Sequence, residues 1–108
     1  MFTLGDLEAI IARRAEAGAD SSYTASLLDK GAGHCARKMG EEAIEAILAV
    51  ASGDRDEIRK ESADLLYHLL VALRASDVRL DEVLAELQSR TSQSGLDEKA
   101  ARTARKAR

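Results

Sequence analysis

The chain has no proline and no tryptophan, a single cysteine, and few aromatic residues, two Tyr and one Phe among 108. Without proline, helix ends must be set by glycine and by capping side chains. Scarce aromatics beside abundant Ala, Leu, Glu, Arg and Lys favour helices over strands. The lone Cys35 excludes an internal disulfide and suits a reducing compartment. No apolar run approaches the ~20 residues of a membrane span, and no basic-then-apolar leader opens the chain, so a soluble cytoplasmic protein is expected. With 16 basic and 19 acidic residues the net charge is −3, which argues against nucleic acid as a partner.

What remains is the makings of a helical domain. The length fits one domain, thin as a monomer, so dimerisation is expected to complete it. Thr3 can cap a first helix that runs to about Ala17 with Leu4, Leu7, Ile10 and Ile11 on one face. After a connection at residues 18–22, with Ser22 or Thr24 as cap, the pattern is helical from Tyr23 to about Ser52. It weakens at Asp29 to Gly33, where a break is expected, with the longer piece starting near His34. Ser52-Gly53-Asp54 reads as stop, turn and new cap. The next helix, from Arg55 to Ala75, carries Ile58, Leu65, Leu66, Leu69, Leu70 and Leu73 and is expected to be the most buried. A last helix follows Asp77 or Asp81 to about Gln93, burying Leu80, Val83, Leu84 and Leu87, with Gly95 as terminator. The expectation is an all-α bundle of about four main helices over residues 1–96, with a basic tail at 97–108 that frays or forms a short helix.

Two acidic runs stand out, Glu41-Glu42-Ala43-Ile44-Glu45 and Glu61-Ser62-Ala63-Asp64. A glutamate on a helix is ordinarily a solvated charge paired with a Lys or Arg four residues on. Here the residues four beyond Glu41, Glu42 and Glu45 are Glu45, Ala46 and Ala49, so that pairing is missing. At 100° per residue, Glu41 lies about 70° and Glu45 about 110° from the middle of the Ile44, Ile47, Leu48, Ala51 stripe, with Glu42 pointing further out. Glu61, Asp64 and His68 share the edge of the following leucine stripe. If the two helices pair antiparallel about Gly53, the carboxylates converge. A hard, oxygen-only site of that kind suits Mg²⁺ or Mn²⁺ and, through the metal, a phosphate group. Solvated surface charge is the competing reading, and spacing alone leaves both open.

The same residues carry a resemblance. Lys38-Met39-Gly40-Glu41-Glu42-Ala43-Ile44-Glu45, followed after fifteen residues by Glu61-Ser62-Ala63-Asp64-Leu65-Leu66-Tyr67-His68, resembles phosphoribosyl-ATP pyrophosphohydrolase within the all-α nucleoside triphosphate pyrophosphohydrolases. Ser22-Tyr23-Thr24 and the stretch from Ser94 to Ala100 are similar to that family too. The resemblance implies hydrolysis of phosphoribosyl-ATP to phosphoribosyl-AMP and pyrophosphate, the second step of histidine biosynthesis, by a homodimer. It implies catalytic roles for Glu41, Glu42, Glu45, Glu61 and Asp64, with Glu42, Glu45, Glu61 and Asp64 as magnesium ligands. Glu41 is left as either a further ligand or an orienter of the attacking water. Lys30, Arg37 and Lys38 are the candidates for the pyrophosphate, and Tyr23 and Thr24 for substrate contact. A house-cleaning nucleotide pyrophosphohydrolase and a helical dimerisation module are the alternatives. Two smaller expectations concern His68, either packed at the bundle edge or supporting Glu61 or Asp64, and Tyr67, in the core or an interface.

Overall fold

A computed structural model describes residues 1–92 and 95–106, which form six helices and no strand. They are α1 (Leu4–Ala15), α2 (Tyr23–Asp29), α3 (Ala32–Ser52), α4 (Arg55–Ala75), α5 (Leu80–Thr91) and α6 (Gly95–Lys106). Side chains set most of the ends. Thr3 Oγ1 accepts from the Asp6 amide and Asp6 Oδ2 accepts from the Thr3 amide, each at 3.0 Å, a reciprocal cap on α1. Ser22, and not Thr24, caps α2, accepting from the Ala25 amide at 3.1 Å.

The expected break falls at Lys30–Gly31. Gly31 takes φ 94°, open to glycine and costly for other residues, so α3 begins at Ala32, ahead of His34, and carries Gly33 within it. At the other end Gly53, at φ 76°, closes α3 with a left-handed residue. Asp54 then caps α4 by accepting from the Asp56 and Glu57 amides. The two longest helices are thereby joined by a turn of two residues and pack along each other. The expected end of α5 at Gln93 lies outside the described residues. Gly95 opens α6 instead of ending α5, and the basic tail is helical as far as Lys106. Arg105 of α6 donates to Glu86 of α5 at 3.2 Å.

The core is small: Ile11, Leu27, Cys35, Leu70, Val71 and Leu80, one or two side chains from each of the first five helices. Here the apolar pattern misleads. The stripe Ile44, Ile47, Leu48, taken as the buried face of α3, is exposed, with Ile47 at 66% and Leu48 at 64%. The face of α3 that meets its neighbours carries Cys35, Ala46 and Ala49, spaced eleven and three residues apart along one side of the helix. Small side chains let α3 and α4 approach closely and leave the larger ones turned outward. On α4, Leu66 is 41% exposed, and on α5 only Leu80 is buried while Val83, Leu84 and Leu87 face solvent. The helix expected to be most buried thus contributes His68, Leu70 and Val71 and shows part of its leucine stripe.

One long-range polar contact ties the ends of the domain. Glu8 Oε2 on α1 accepts from the Leu80 amide at 2.7 Å, satisfying a free N–H at the start of α5. Glu8→Ala is expected to lower stability by about 1.5 kcal/mol, as for a hydrogen bond to a charged group. A urea unfolding midpoint unchanged from the parent chain would show that this contact does not hold α5 in place.

Candidate metal centre

The turn at Gly53 sets the acidic runs of α3 and α4 opposite each other. Glu42, Glu45 and Glu61 each bring one carboxylate oxygen to within 4.8 Å of the others. Glu42 lies on the same side of α3 as Ala46 and Ala49, seven residues from Cys35, so it is drawn in toward α4. It was expected to point outward because the helical wheel was centred on the exposed Ile44, Ile47, Leu48 stripe. Re-centring on the alanine face turns Glu42 in and Glu41 out. Glu41 is exposed and receives Lys38 Nζ at 3.2 Å. Asp64, one turn beyond Glu61, is exposed and stands outside the three-carboxylate group, close enough to add its charge to both Glu42 and Glu61.

Crowding of like charge shows in the acid–base properties. A hydrogen bond shared with Glu45 heads the causes that push Glu61 up to about 6, followed by burial and the charges of Glu45, Asp64 and Glu42. Burial first, then the Glu45 charge, raises Glu42. Glu42 Oε2 and Glu61 Oε2 are both buried without a hydrogen-bond partner. Buried carboxylate oxygens left unpartnered are costly, and a divalent cation among them offsets that cost. The donor set is oxygen alone, which fits Mg²⁺ or Mn²⁺ and not a soft metal.

His68 packs behind this cluster, buried, with its ring edge-on to Tyr67 at 5.0 Å and to Tyr23 at 6.3 Å. Its Nδ1 lies 2.9 Å from the Asp64 backbone oxygen. A carbonyl only accepts, so Nδ1 carries a proton toward it, while the buried Nε2 has no hydrogen-bond partner among the described residues. The nearby His68 charge works against the upward shift of Glu42. The ring therefore joins the backbone of Asp64 to the surroundings of Glu42, a link to Glu42 that the wheel did not suggest.

The cations lie on the N-terminal side of the cluster. Lys30, Arg37 and Lys38 all lower the His34 pKa, after burial, and Arg37 Nη2 donates to His34 Nδ1 at 3.2 Å. The three thus share one patch, with Lys38 nearest the acidic run. Tyr23 is exposed at the start of α2 and is among the groups that raise Lys38. Thr24 is buried, its hydroxyl 2.5 Å from that of Tyr67. Tyr23, Thr24 and Tyr67 also line a hollow of about 400 Å³ together with Arg14, Ser21 and Ser22. Nothing in the local pattern separates Arg14 from Arg13, and only the turn between α1 and α2 brings it here. Cys35 is buried, its thiol donating to the Leu27 carbonyl at 3.3 Å, away from metal chemistry.

The family profile described as phosphoribosyl-ATP pyrophosphohydrolase matches residues 4–91, a span that contains all of the carboxylates above. The chain belongs to that family. A phosphoribosyl-ATP pyrophosphatase of Azorhizobium caulinodans is 59% identical over 100 residues, covering 93% of this chain and 92% of its own. Those of Nitrobacter winogradskyi and Allorhizobium ampelinum are 57% and 56% identical over 101 residues, covering 94% of this chain and 87% and 97% of theirs. The resemblance seen in the acidic runs thus extends over nearly the full length. Family membership and an oxygen-only cluster together support a site for a divalent metal.

The raised carboxylates have a consequence for stability. The folded, metal-free chain holds protons on Glu61 and Glu42 at pH values where the unfolded chain has released them. The stability Glu61 contributes is fully present below the ordinary glutamate value of 4.5 and is lost as pH rises through about 6, and the raised Glu42 acts in the same direction. Cation binding needs the ionised forms and runs the other way. In EDTA the melting temperature is expected to be higher at pH 5 than at pH 7.5. Magnesium at tenfold its Kd is expected to add about 1.4 kcal/mol at pH 7.5 and far less at pH 5. Thermal scans in which magnesium acts equally at both pH values would rule out these carboxylates as its ligands.

Proposed function

We propose that the chain hydrolyses phosphoribosyl-ATP to phosphoribosyl-AMP and pyrophosphate, the second step of histidine biosynthesis, using Mg²⁺ held by Glu42, Glu45, Glu61 and Asp64. The observation that carries this is the family match over residues 4–91 around three converged carboxylates, two of which bury unpartnered oxygens. Bound there, Mg²⁺ (or Mn²⁺) supplies neutralisation of the triphosphate and activation of water. The chain's own residues do the rest. Lys38, with Arg37 and Lys30 behind it, stabilises the charge that builds on the departing pyrophosphate. Glu41, paired with Lys38, sits where the pair exchanges its partner for a phosphate. We assign it to the rim of the site, with orientation of the attacking water as its part in the chemistry. His68 fixes the Asp64 segment of α4 against the Glu42 side. Tyr23 and Thr24 belong to the substrate wall, Tyr23 by contact and Thr24 by fixing Tyr67.

Glu45→Gln and Asp64→Asn are each expected to lower turnover of phosphoribosyl-ATP by roughly 10²- to 10³-fold while leaving the helical CD signal intact, the scale seen when one stabilising group is lost. Retained activity in both would remove the carboxylates from the mechanism. Pyrophosphate release from dCTP or ATP with none from phosphoribosyl-ATP would overturn the choice of substrate.

The functional unit is proposed to be a homodimer. Its seam would be the exposed apolar residues Ile44, Ile47, Leu48 and Leu66, continued by Leu84 and Leu87 on α5. The radius of gyration is 16.0 Å, against about 13 Å for a compact chain of this length, so one chain alone leaves its apolar faces uncovered. Leu48→Lys is expected to turn a dimer into a monomer of 11.6 kDa by light scattering. An unchanged mass would place the interface elsewhere. No described helix is long and apolar enough to cross a membrane, and the proposed setting is the cytoplasm, with a small nucleotide and not nucleic acid as the substrate.

A further inference from the structure

Phosphoribosyl-ATP has two anionic ends, the triphosphate and the 5-phosphate of the ribosyl group on the adenine. ATP shares the first and lacks the second. Preference for the larger molecule is strongest where a site makes a charge-assisted contact to the group that its competitor lacks. That contact must come from a cation set apart from the carboxylate cluster, which repels a second phosphate.

The hollow between the α1–α2 turn and Tyr67 has these properties. It holds about 400 Å³, in the range of small-ligand pockets, and no carboxylate lines it. The Arg14 guanidinium in its wall has no ion-pair or hydrogen-bond partner among the described residues; the same holds for Arg13, Arg55 and Arg74, but of these only Arg14 lines the hollow. Ser22 Oγ accepts from the Ala25 amide and keeps its own proton to donate. The Thr24 and Tyr67 hydroxyls share one hydrogen bond, which leaves one of their two protons free. The hollow adjoins the carboxylates through Tyr23 and Tyr67, whose rings both meet His68. A second hollow, about 450 Å³ against α1 at the far end of α4, has Arg74 and Arg79 in its wall but also Glu8 and Asp77, whose charges oppose an anion there.

We infer that Arg14, with the hydroxyls around it, binds the ribosyl 5-phosphate and sets the preference for phosphoribosyl-ATP over ATP. This rests on the substrate proposed above, and the test separates the two. Arg14→Ala is expected to raise KM for phosphoribosyl-ATP by roughly 10- to 100-fold, with Arg14→Lys between it and the parent because a point charge replaces a two-pronged donor. The inhibition constant of ATP should stay within about twofold, which loss of the fold or of the metal site would not allow. In a second measurement that needs no turnover, ribose 5-phosphate without metal is expected to shift the backbone NMR signals of Ser22 and Tyr23 in the parent chain and not in Arg14→Ala.

Parallel weakening of both nucleotides, an unchanged KM, or ribose 5-phosphate shifts that persist in Arg14→Ala would overturn the assignment. Arg14-dependent shifts in a chain that does not turn over phosphoribosyl-ATP would uphold the phosphate subsite and sink the substrate reading. Turnover with shifts independent of Arg14 would do the reverse.

Discussion

Glu42, Glu45 and Glu61 are held together against their mutual repulsion by the way α3 and α4 are joined and packed. Three carboxylates with oxygens inside 4.8 Å do not collect by themselves, since each added charge makes the next ionisation harder. What holds them is the hairpin. Gly53 permits the left-handed turn, Asp54 starts α4 at once, and Ala46 and Ala49 let the two helices close up. The cost appears as the upward shift of Glu61 to about 6 and as two buried oxygens without partners. A divalent cation converts that unfavourable geometry into a binding site, and the phosphoanhydride chemistry of the family follows from it.

The remainder of the domain can be understood as support for this seam. α1 and α2 lay Ile11, Leu27 and Tyr67's partner Thr24 against α4, and Glu8 reaches across to the start of α5. Such packing gives only a small core, and large side chains on α3, α4 and α5 remain outside it. A chain that spends its small residues on the seam has its larger ones left for a partner surface. In the proposed dimer, the contact that completes the fold thus uses the opposite face of the helix that carries the metal site.

Much of this was legible in the residues. Thr3, Gly53 and Asp54 act as the local chemistry of caps and turns dictates, and the α2–α3 break lies within one residue or two of the glycines that predict it. The acidic runs declared themselves by their missing basic partners. What local pattern could not supply was which face of α3 is inside. Hydrophobic periodicity assumes that the largest apolar residues seek the core, and here Ile47 and Leu48 face out while alanines face in, so Glu41 and Glu42 exchanged places. Lys38 likewise pairs three residues on with Glu41, a contact that four-residue spacing does not capture. Arg14 became visible only when the chain turn brought it to Tyr23, since no periodicity encodes that meeting.

The central claim is that α3 and α4 hold ionisable oxygens at a spacing meant for a cation. Carbon-detected NMR titration of the glutamate carboxyl groups, with and without magnesium, tests it most directly. Without metal, Glu61 is predicted to titrate near 6, and with saturating magnesium its midpoint should fall below the ordinary 4.5. A Glu61 midpoint near 4.5 that magnesium leaves in place would contradict the account.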